Sequence, residues 1–110
     1  MLLNKKVQAE KRWLHSRRAD ITKHSELCHV ISDPTRVKIL MLLNRHGKLC
    51  VTDLANIVGV SISAISHQLD LLEHAGVVSN KRMGRVVRYY PQLGDNVFLK
   101  IVRLTLGKSF

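Results

Sequence analysis

Two cysteines and one of the six histidines form the group of side chains in this sequence best suited to bind a metal or to react. Cys28 follows His24 by four positions, so both side chains would share one face of a helix. Thiolate sulfur and imidazole nitrogen are ligands for zinc and for softer thiophilic ions, and a thiolate is also a nucleophile toward oxidants and persulfides. Together with Cys50 these residues could supply three soft ligands, although no spacing rule requires them to meet.

Cys50 stands at the front of a predicted short helix, where Ser or Thr is the usual N-terminal cap. A thiol is a poor cap, but the partial positive charge of a helix N-terminus stabilises a thiolate, and Lys48 is close in sequence. A reactive cysteine and a tolerated small polarisable residue are both open interpretations of Cys50. Cys28 has three interpretations: a buried core residue, a partner of Cys50 in a thiol or thiol–imidazole site, or a partner across a subunit interface.

A second group of residues is suited to hydrogen bonding rather than to ligation. In "SISAISHQL", Ser61 is a good N-cap, and the first turns of the following helix carry small or polar side chains that can approach base edges. These candidates for contact with DNA bases are Ser63, Ala64, Ser66, His67 and Gln68. For His67 a capping or packing role is the alternative.

Four cations follow on a predicted β-hairpin: Lys81, Arg82, Arg85 and Arg88. Two runs of β-branched and aromatic residues flank Met83-Gly84, which is typical of a hairpin turn. We expect cations that are clustered on such a hairpin, beside a polar helix, to contact phosphates. For Arg88 an ion pair on the sheet surface is the alternative.

Helical periodicity accounts for most of the remaining chain. A first amphipathic helix is predicted over about residues 4–18 and a second over residues 22–31. Asp33 and Pro34 begin a third helix, which ends at Gly47. A short helix is predicted over 51–58, where Gly59 stops it. The next helix begins after Ser61, ends at Gly76 and carries the apolar stripe Ile62, Ile65, Leu69 and Leu72. An apolar segment follows over 95–107. That last segment is too apolar to be exposed on a small monomer, so we expect it to pack against another subunit.

Composition and charge restrict the class of protein. The chain has 110 residues, enough for one compact domain, and 18 Lys and Arg against 8 Asp and Glu give it a net charge of +10. Such an excess points to a polyanionic partner, either nucleic acid or an acidic membrane surface. No apolar run reaches the roughly 18 residues of a membrane span, and the basic start lacks the long apolar stretch of a secretory signal. We therefore expect a cytoplasmic protein with reduced thiols and no membrane partner.

The order of elements indicates one fold. Helix, tight turn, helix and basic hairpin form the plan of a winged helix-turn-helix, which is mainly α with a small β-hairpin wing. We predict one domain over residues 1–110, with the helix-turn-helix at about 51–75, the wing at about 77–91 and dimerisation helices at about 4–18 and 95–107. The sequence lacks a phosphate-cradling glycine loop, a nucleophile elbow and paired carboxylates, which argues against an enzyme. It has few aromatics for stacking on single-stranded RNA.

Three segments make this interpretation specific: "ISDPTRVKILMLL", "LCVTDLANIVGVSISAISHQLDLLEHAGVV" and "GRVVRYY". In this order they resemble the ArsR/SmtB family of bacterial and archaeal metal- and thiol-responsive repressors, over about residues 22–106. The resemblance implies a homodimer that binds an inverted-repeat operator in double-stranded DNA and releases it when an inducer binds. It also implies that the polar helix residues named above lie at the major groove and that the four hairpin cations form the wing contacts.

The chain departs from the family at both of its common metal sites. Members with a soft-metal site carry E-L-C-V-C-D-L, whereas this chain reads "KLCVTDL", so Cys50 is kept and Thr52 stands where the second cysteine would be. A high-affinity cadmium, lead or arsenic(III) site of that type is therefore not expected. The other site uses Asp and His on the last helix, and residues 95–106 contain no His and only one Asp.

We predict a homodimeric repressor that binds double-stranded DNA and has no certain cofactor. One hypothesis for its regulation is DNA release when a thiophilic metal or metalloid ion, a thiol oxidant or a persulfide acts at Cys50 and Cys28, with His24 as a third metal ligand. The alternative is a constitutive DNA-binding regulator or architectural protein without a sensor site.

Overall fold

The computed structural model describes residues 2–92. Five helices and three strands lie within that range. In chain order they are α1 (Asn4–Ser16), α2 (Arg18–Val30), α3 (Pro34–His46), β1 (Leu49–Cys50), α4 (Val51–Val58), α5 (Ile62–His74), β2 (Val78–Met83) and β3 (Val86–Pro91). The strands form one antiparallel sheet in the order β1-β3-β2. This mainly helical chain with a small β-hairpin confirms the predicted fold class.

The limits of α3 and α4 follow from local chemistry. The Asp33 carboxylate accepts a hydrogen bond from the Arg36 backbone N–H at 3.0 Å, and Pro34 begins the helix at a position where its missing N–H costs nothing. Gly47 and Gly59 follow the two helices with φ angles of 84° and 82°, which glycine adopts without strain. These helix ends were therefore predictable from single residues.

The hydrophobic core lies where α3, α4, α5 and the root of the hairpin meet. Its fully buried side chains are Ile39, Leu40, Leu43, Leu54, Ile65, Leu69, Leu72, Val77 and Val78. The three core residues of α5 recur at helical spacing, so one apolar face fixes this helix and its opposite face is left exposed. α1, in contrast, contributes no buried residue.

A two-residue strand in front of α4 completes the sheet. Cys50 of β1 lies opposite Arg88 of β3, which in turn lies opposite Lys81 of β2. The turn between β2 and β3 is Gly84-Arg85, and Gly84 has a φ angle of 66°, as a tight hairpin turn requires. The predicted hairpin is confirmed, whereas β1 was not predicted, because so short a strand exists only through its pairing with β3.

Two element predictions are corrected. The second helix begins at Arg18, four residues before the predicted start, because only Arg17 separates it from α1. Ile62 was placed in the apolar stripe of α5, which was wrong: its side chain is 54% exposed, since the first three residues of α5 project beyond the core. The predicted dimerisation segment 95–107 lies outside the described residues.

The molecule is elongated, with principal extents of 62 × 28 × 24 Å and a radius of gyration of 18.0 Å. A compact domain of about 100 residues has a radius of gyration of about 13 Å. The excess length fits α1 and α2, which are exposed over nearly all their residues. Trp13, Leu14 and Ile21 line an open cleft of about 580 Å³ along these two helices.

Candidate nucleic-acid interface

α5 presents a polar face opposite the face that packs on the core. Ser63, Ala64 and His67 are exposed, and Ser66 is half-buried at the edge of the exposed face. Ser63 and His67 are one helical turn apart, so their side chains project in the same direction. A helix that is fixed from behind and carries small and hydrogen-bonding groups in front can enter a major groove.

The first turn of α5 is capped by Ser61, as predicted. Its Oγ accepts a hydrogen bond from the Ala64 backbone N–H at 3.1 Å. This bond satisfies one of the N–H groups that a helix start leaves unpaired, and the remaining ones give the turn a partial positive charge. Ile62 is exposed in the same turn. Sequence reasoning missed it as a surface residue, because helical spacing alone does not reveal whether another element covers the first turn.

All four predicted wing cations, Lys81, Arg82, Arg85 and Arg88, are exposed. Lys81 lies opposite Arg88, so these two side chains share one face of the sheet, whereas Arg82 belongs to the other face and Arg85 to the turn. None of the four forms an ion pair with an acidic side chain between residues 2 and 92. Within that range, the ion pair that was the alternative role for Arg88 is therefore not formed.

One hydrogen bond joins the root of the wing to the C-terminal half of α5, and one aromatic ring packs the wing against the core. Asn80 Nδ2 donates a hydrogen bond to Glu73 Oε1 at 2.8 Å. Tyr89 packs half-buried against the core. Burial raises the pKa of the Tyr89 phenol, and the carboxylates of Glu73 and Asp70 raise it further. These contacts set the position of the wing cations relative to the exposed face of α5.

The side chain of Gln68 forms a hydrogen bond inside the domain. Its side chain is half-buried, and its Oε1 accepts a hydrogen bond from Nη1 of Arg36 at 3.1 Å. Arg36 is only 9% exposed and also donates to the carbonyl oxygens of Val30 at 2.8 Å and His29 at 3.2 Å. The sequence analysis did not single out Arg36. It expected Gln68 to face the DNA groove, whereas the side-chain oxygen of Gln68 accepts this internal hydrogen bond.

Cys50 is the N-cap of α4 in geometry but not in hydrogen bonding. Its φ and ψ angles of −86° and 164° are extended, and its side chain makes no capping hydrogen bond. The thiol is half-buried and free. Because directly paired residues share a face, Cys50, Arg88 and Lys81 form one row across the sheet. The thiol therefore neighbours Arg88, and Lys81 follows one strand further in the same row.

Cys28 is exposed on α2, so its interpretation as a buried core residue is wrong. On the same helix, Nδ1 of His24 lies 2.8 Å from the carbonyl oxygen of Asp20. When that nitrogen carries the proton, Nε2 is the one available to a ligand. However, no three His, Cys, Asp or Glu side chains from residue 2 to residue 92 are grouped so as to hold a metal ion. A single chain thus does not assemble a site from His24, Cys28 and Cys50.

A helix with an exposed polar face, packed on two further helices and followed by a cationic hairpin, defines the winged helix-turn-helix class. The sequence matches the arsR family of bacterial regulatory proteins over residues 33–80, and the chain belongs to that family. Relatives that it matches are named as a transcriptional repressor SmtB homolog and an arsenical resistance operon repressor. Between residues 2 and 92 no helix has both the length and the hydropathy needed to cross a membrane.

Two relatives and one solved structure show how far the similarity extends. The HTH-type transcriptional regulator NmtR of Mycobacterium tuberculosis is 46% identical over 85 residues, covering 72% of this chain and 70% of that protein. A homolog of the cadmium resistance regulatory protein CadC from Staphylococcus aureus is 44% identical over 59 residues, covering 54% of this chain and 49% of that protein. The chain thus spans about half the length of the cadmium-resistance relatives that it matches. The crystal structure of the antimony-specific transcriptional repressor AntR superposes with a TM-score of 0.70 at 34% identity, covering 80% of this chain and 78% of that one.

Proposed function

We propose that this chain is a transcriptional repressor that binds double-stranded DNA in the cytoplasm as a homodimer on an inverted repeat. The observation that carries the proposal is the exposed polar face of α5, which is backed by fully buried Ile65, Leu69 and Leu72 and flanked by the wing cations. In this arrangement α5 enters the major groove with its first turns, and the wing contacts the phosphates or the adjacent minor groove.

The proposed contact residues in the first turns of α5 have roles that suit their chemistry. Ser63 and His67 can hydrogen-bond to base edges, and Ala64 lets the helix backbone approach closely. Ile62 is added to this set, because an exposed aliphatic side chain in the first turn can contact a thymine methyl group. Ser66, at the edge of the face, suits a phosphate contact. Lys81, Arg82, Arg85 and Arg88 supply the charge that neutralises phosphates.

Dimerisation is proposed from the exposed apolar surface of α1 and α2. Trp13, Leu14 and Ile21 are 55%, 51% and 47% exposed, and α1 buries none of its residues in the single chain. A second copy would cover this surface and would hold two α5 helices at half-sites about 34 Å apart, one turn of DNA. The predicted dimerisation segment 95–107 would add to the same interface.

The first test is selection of an operator by the full chain from a pool of random DNA duplexes. We expect an inverted repeat for which the affinity of the protein falls steeply as salt rises, because many phosphates are neutralised.

Arg85→Ala should weaken binding to operator and random duplex alike and should lower the slope of log affinity against log salt concentration by about 1. His67→Ala should cost about 1–3 kcal/mol on the operator alone.

The matched control is Lys23→Ala, which removes an exposed cation of α2 and should leave both duplexes bound as before. A selected pool without any repeat, bound equally at low and high salt, would contradict the proposed function.

We further propose that Cys50 regulates DNA binding. The thiol is paired across the sheet with Arg88, so a metal ion or an oxidised sulfur at Cys50 would change the charge beside one proposed phosphate contact. Cys28 lies on α2 next to the proposed subunit interface, and since residues 2–92 of one chain form no metal-binding group, a second copy could supply the further ligands. The departure "KLCVTDL" from the family's metal box supports instead the constitutive regulator without a sensor site.

The sensor hypothesis and the constitutive regulator predict different results in a DNA-release experiment. With the selected operator bound, Zn(II), Cd(II), As(III) and a persulfide donor are added in turn to the reduced protein. Under the sensor hypothesis one of them releases the wild type but not Cys50→Ser, which should bind DNA normally. If Cys28→Ser shares the defect, the two thiols form one site. Retention of DNA by wild type under all four reagents would leave the constitutive regulator as the function.

A further inference from the structure

Arg36 is the buried cation of the described chain, and it is not paired with a carboxylate. Its side chain is 9% exposed, and the ion pair found among residues 2–92 is Arg17 with Asp20. A buried charge is costly unless its hydrogen-bonding groups are satisfied. Arg36 meets this condition with three oxygen acceptors, one each from Val30, His29 and Gln68.

The acceptors of Arg36 belong to two different helices. The carbonyl oxygens of Val30 and His29 form the C-terminal end of α2, where the helix dipole places negative partial charge that suits a cation. The third acceptor, Oε1 of Gln68, lies in the middle of α5. One planar guanidinium, fixed at the capped start of α3, therefore joins the end of α2 to the helix that carries the proposed base contacts.

This contact constrains α5 in a way that its apolar face does not. Ile65, Leu69 and Leu72 hold the helix against the core, but apolar contact is not directional. A hydrogen bond from a guanidinium requires a defined distance and angle, so it resists rotation of α5 about its own axis. Such a rotation would displace His67, the residue next to Gln68.

We propose that Arg36 is a positioning residue for operator binding, with Gln68 as its acceptor rather than as a reader of bases. The Arg36–Gln68 contact fixes α5 relative to α2, and α2 carries α1 and the proposed subunit interface. It thereby fixes the spacing of the two α5 helices in a dimer, on which simultaneous binding of two half-sites depends. The inference rests on the proposed function.

The test compares the selected inverted repeat with a duplex that carries only one half-site. Gln68→Met removes the acceptor at similar length, so the preference for the full repeat over the half-site should fall about tenfold, the usual effect of losing a hydrogen bond to a charged group. Gln68→Glu keeps an acceptor oxygen, so the preference should be retained even though the added negative charge weakens binding to both duplexes. Arg36→Met should reproduce the loss of Gln68→Met, and the double variant should lose no more than either one.

Several outcomes would overturn the inference. A base contact by Gln68 would be lost on the half-site as well, and its effect would add to that of Arg36→Met. An unchanged preference in Gln68→Met would also count against positioning. If circular dichroism shows that Arg36→Met does not fold, the comparison of Gln68→Met with Gln68→Glu decides the question alone. A wild type that selects no operator would refute the proposed function itself, whereas wild-type selectivity that survives Gln68→Met would refute only the positioning role.

Discussion

Ile62 and Ile65 are the same residue type on the same helix, yet the first is 54% exposed and the second fully buried. Ile65→Ala should therefore lower the free energy of unfolding by about 2–5 kcal/mol, because it leaves a cavity in the core. Ile62→Ala should change the free energy of unfolding by less than about 0.5 kcal/mol. It should nevertheless weaken operator binding if the side chain contacts a thymine methyl group.

Urea unfolding and operator titration of the two variants separate the roles. Each variant is the other's control, since both remove the same atoms from α5. Loss of stability in Ile62→Ala comparable to that in Ile65→Ala would show that the first turn is covered by another part of the protein.

Tyr89 gives the free energy of unfolding an alkaline pH dependence. Burial, aided by Glu73 and Asp70, raises the pKa of its phenol above the ordinary value of 10.0. Between the unfolded and folded pKa values the folded state binds more protons, so the free energy of unfolding falls as pH rises. The contribution is complete below pH 10 and is lost as pH rises through the folded pKa.

The measurement is urea unfolding at a series of pH values from neutral to strongly alkaline. Tyr89→Phe should lose less stability than wild type over the alkaline range, and Glu73→Gln should lose an intermediate amount. Identical alkaline curves for wild type and Tyr89→Phe would show that the phenol titrates alike in the folded and unfolded chains.

At the scale of elements, the N-caps of α3, α4 and α5 differ in a way that can be measured. Asp33 and Ser61 accept backbone hydrogen bonds at 3.0 and 3.1 Å, whereas Cys50 accepts none. Ser61→Ala should therefore cost about 1 kcal/mol, and Cys50→Ser should gain about 0.5–1 kcal/mol by adding a cap to α4. Thermal unfolding of reduced protein tests both, and a destabilised Cys50→Ser would mean that packing of the sulfur outweighs capping.

The caps also explain which elements the sequence could predict. α3, α4 and α5 begin or end at Asp33, Gly47, Gly59 and Ser61, each of which acts on its own neighbours. The start of α2 has no such signal, because the chain passes from α1 to α2 through Arg17 alone. β1 depends on pairing with a strand almost 40 positions later, which no local pattern encodes.

The residues of the candidate site also differ in whether local sequence could predict them. The exposure of Ser63 and His67 follows from helical periodicity, since they lie opposite the apolar stripe of α5, whereas the exposure of the wing cations follows from their charge. The burial of Arg36 could not be predicted, because its three acceptors come from α2 and α5, and a charged residue in a helix is usually solvated. The internal contact of Gln68 was missed for the same reason.

At the scale of the whole molecule, the surface of α1 predicts the oligomeric state. Trp13→Glu combined with Leu14→Glu should shift the mass in sedimentation from a dimer to the 12.5 kDa of one chain, because two charges would lie in the proposed interface. The fold should persist, since α1 contributes no buried residue. Operator affinity should fall with the loss of paired half-sites.

Ile57→Glu is the matched control, because Ile57 is 54% exposed but lies on α4, away from α1. It should sediment as wild type does. A dimer that survives both charges on α1 would place the interface on another surface.

Every core residue of the described chain lies between Val30 and Val78, whereas His24 precedes that stretch and Cys28 and Cys50 are not core residues. Substitution at exposed positions such as His24 and Cys28 usually changes stability by no more than about 0.5 kcal/mol, and the half-buried Cys50 also lies outside the core. Residues that could recognise an inducer can therefore be gained or lost during evolution without endangering folding. A fold of this kind tolerates many substitutions outside its core. Proteins that descend from one ancestor can therefore respond to different inducers while they keep the same hydrophobic core.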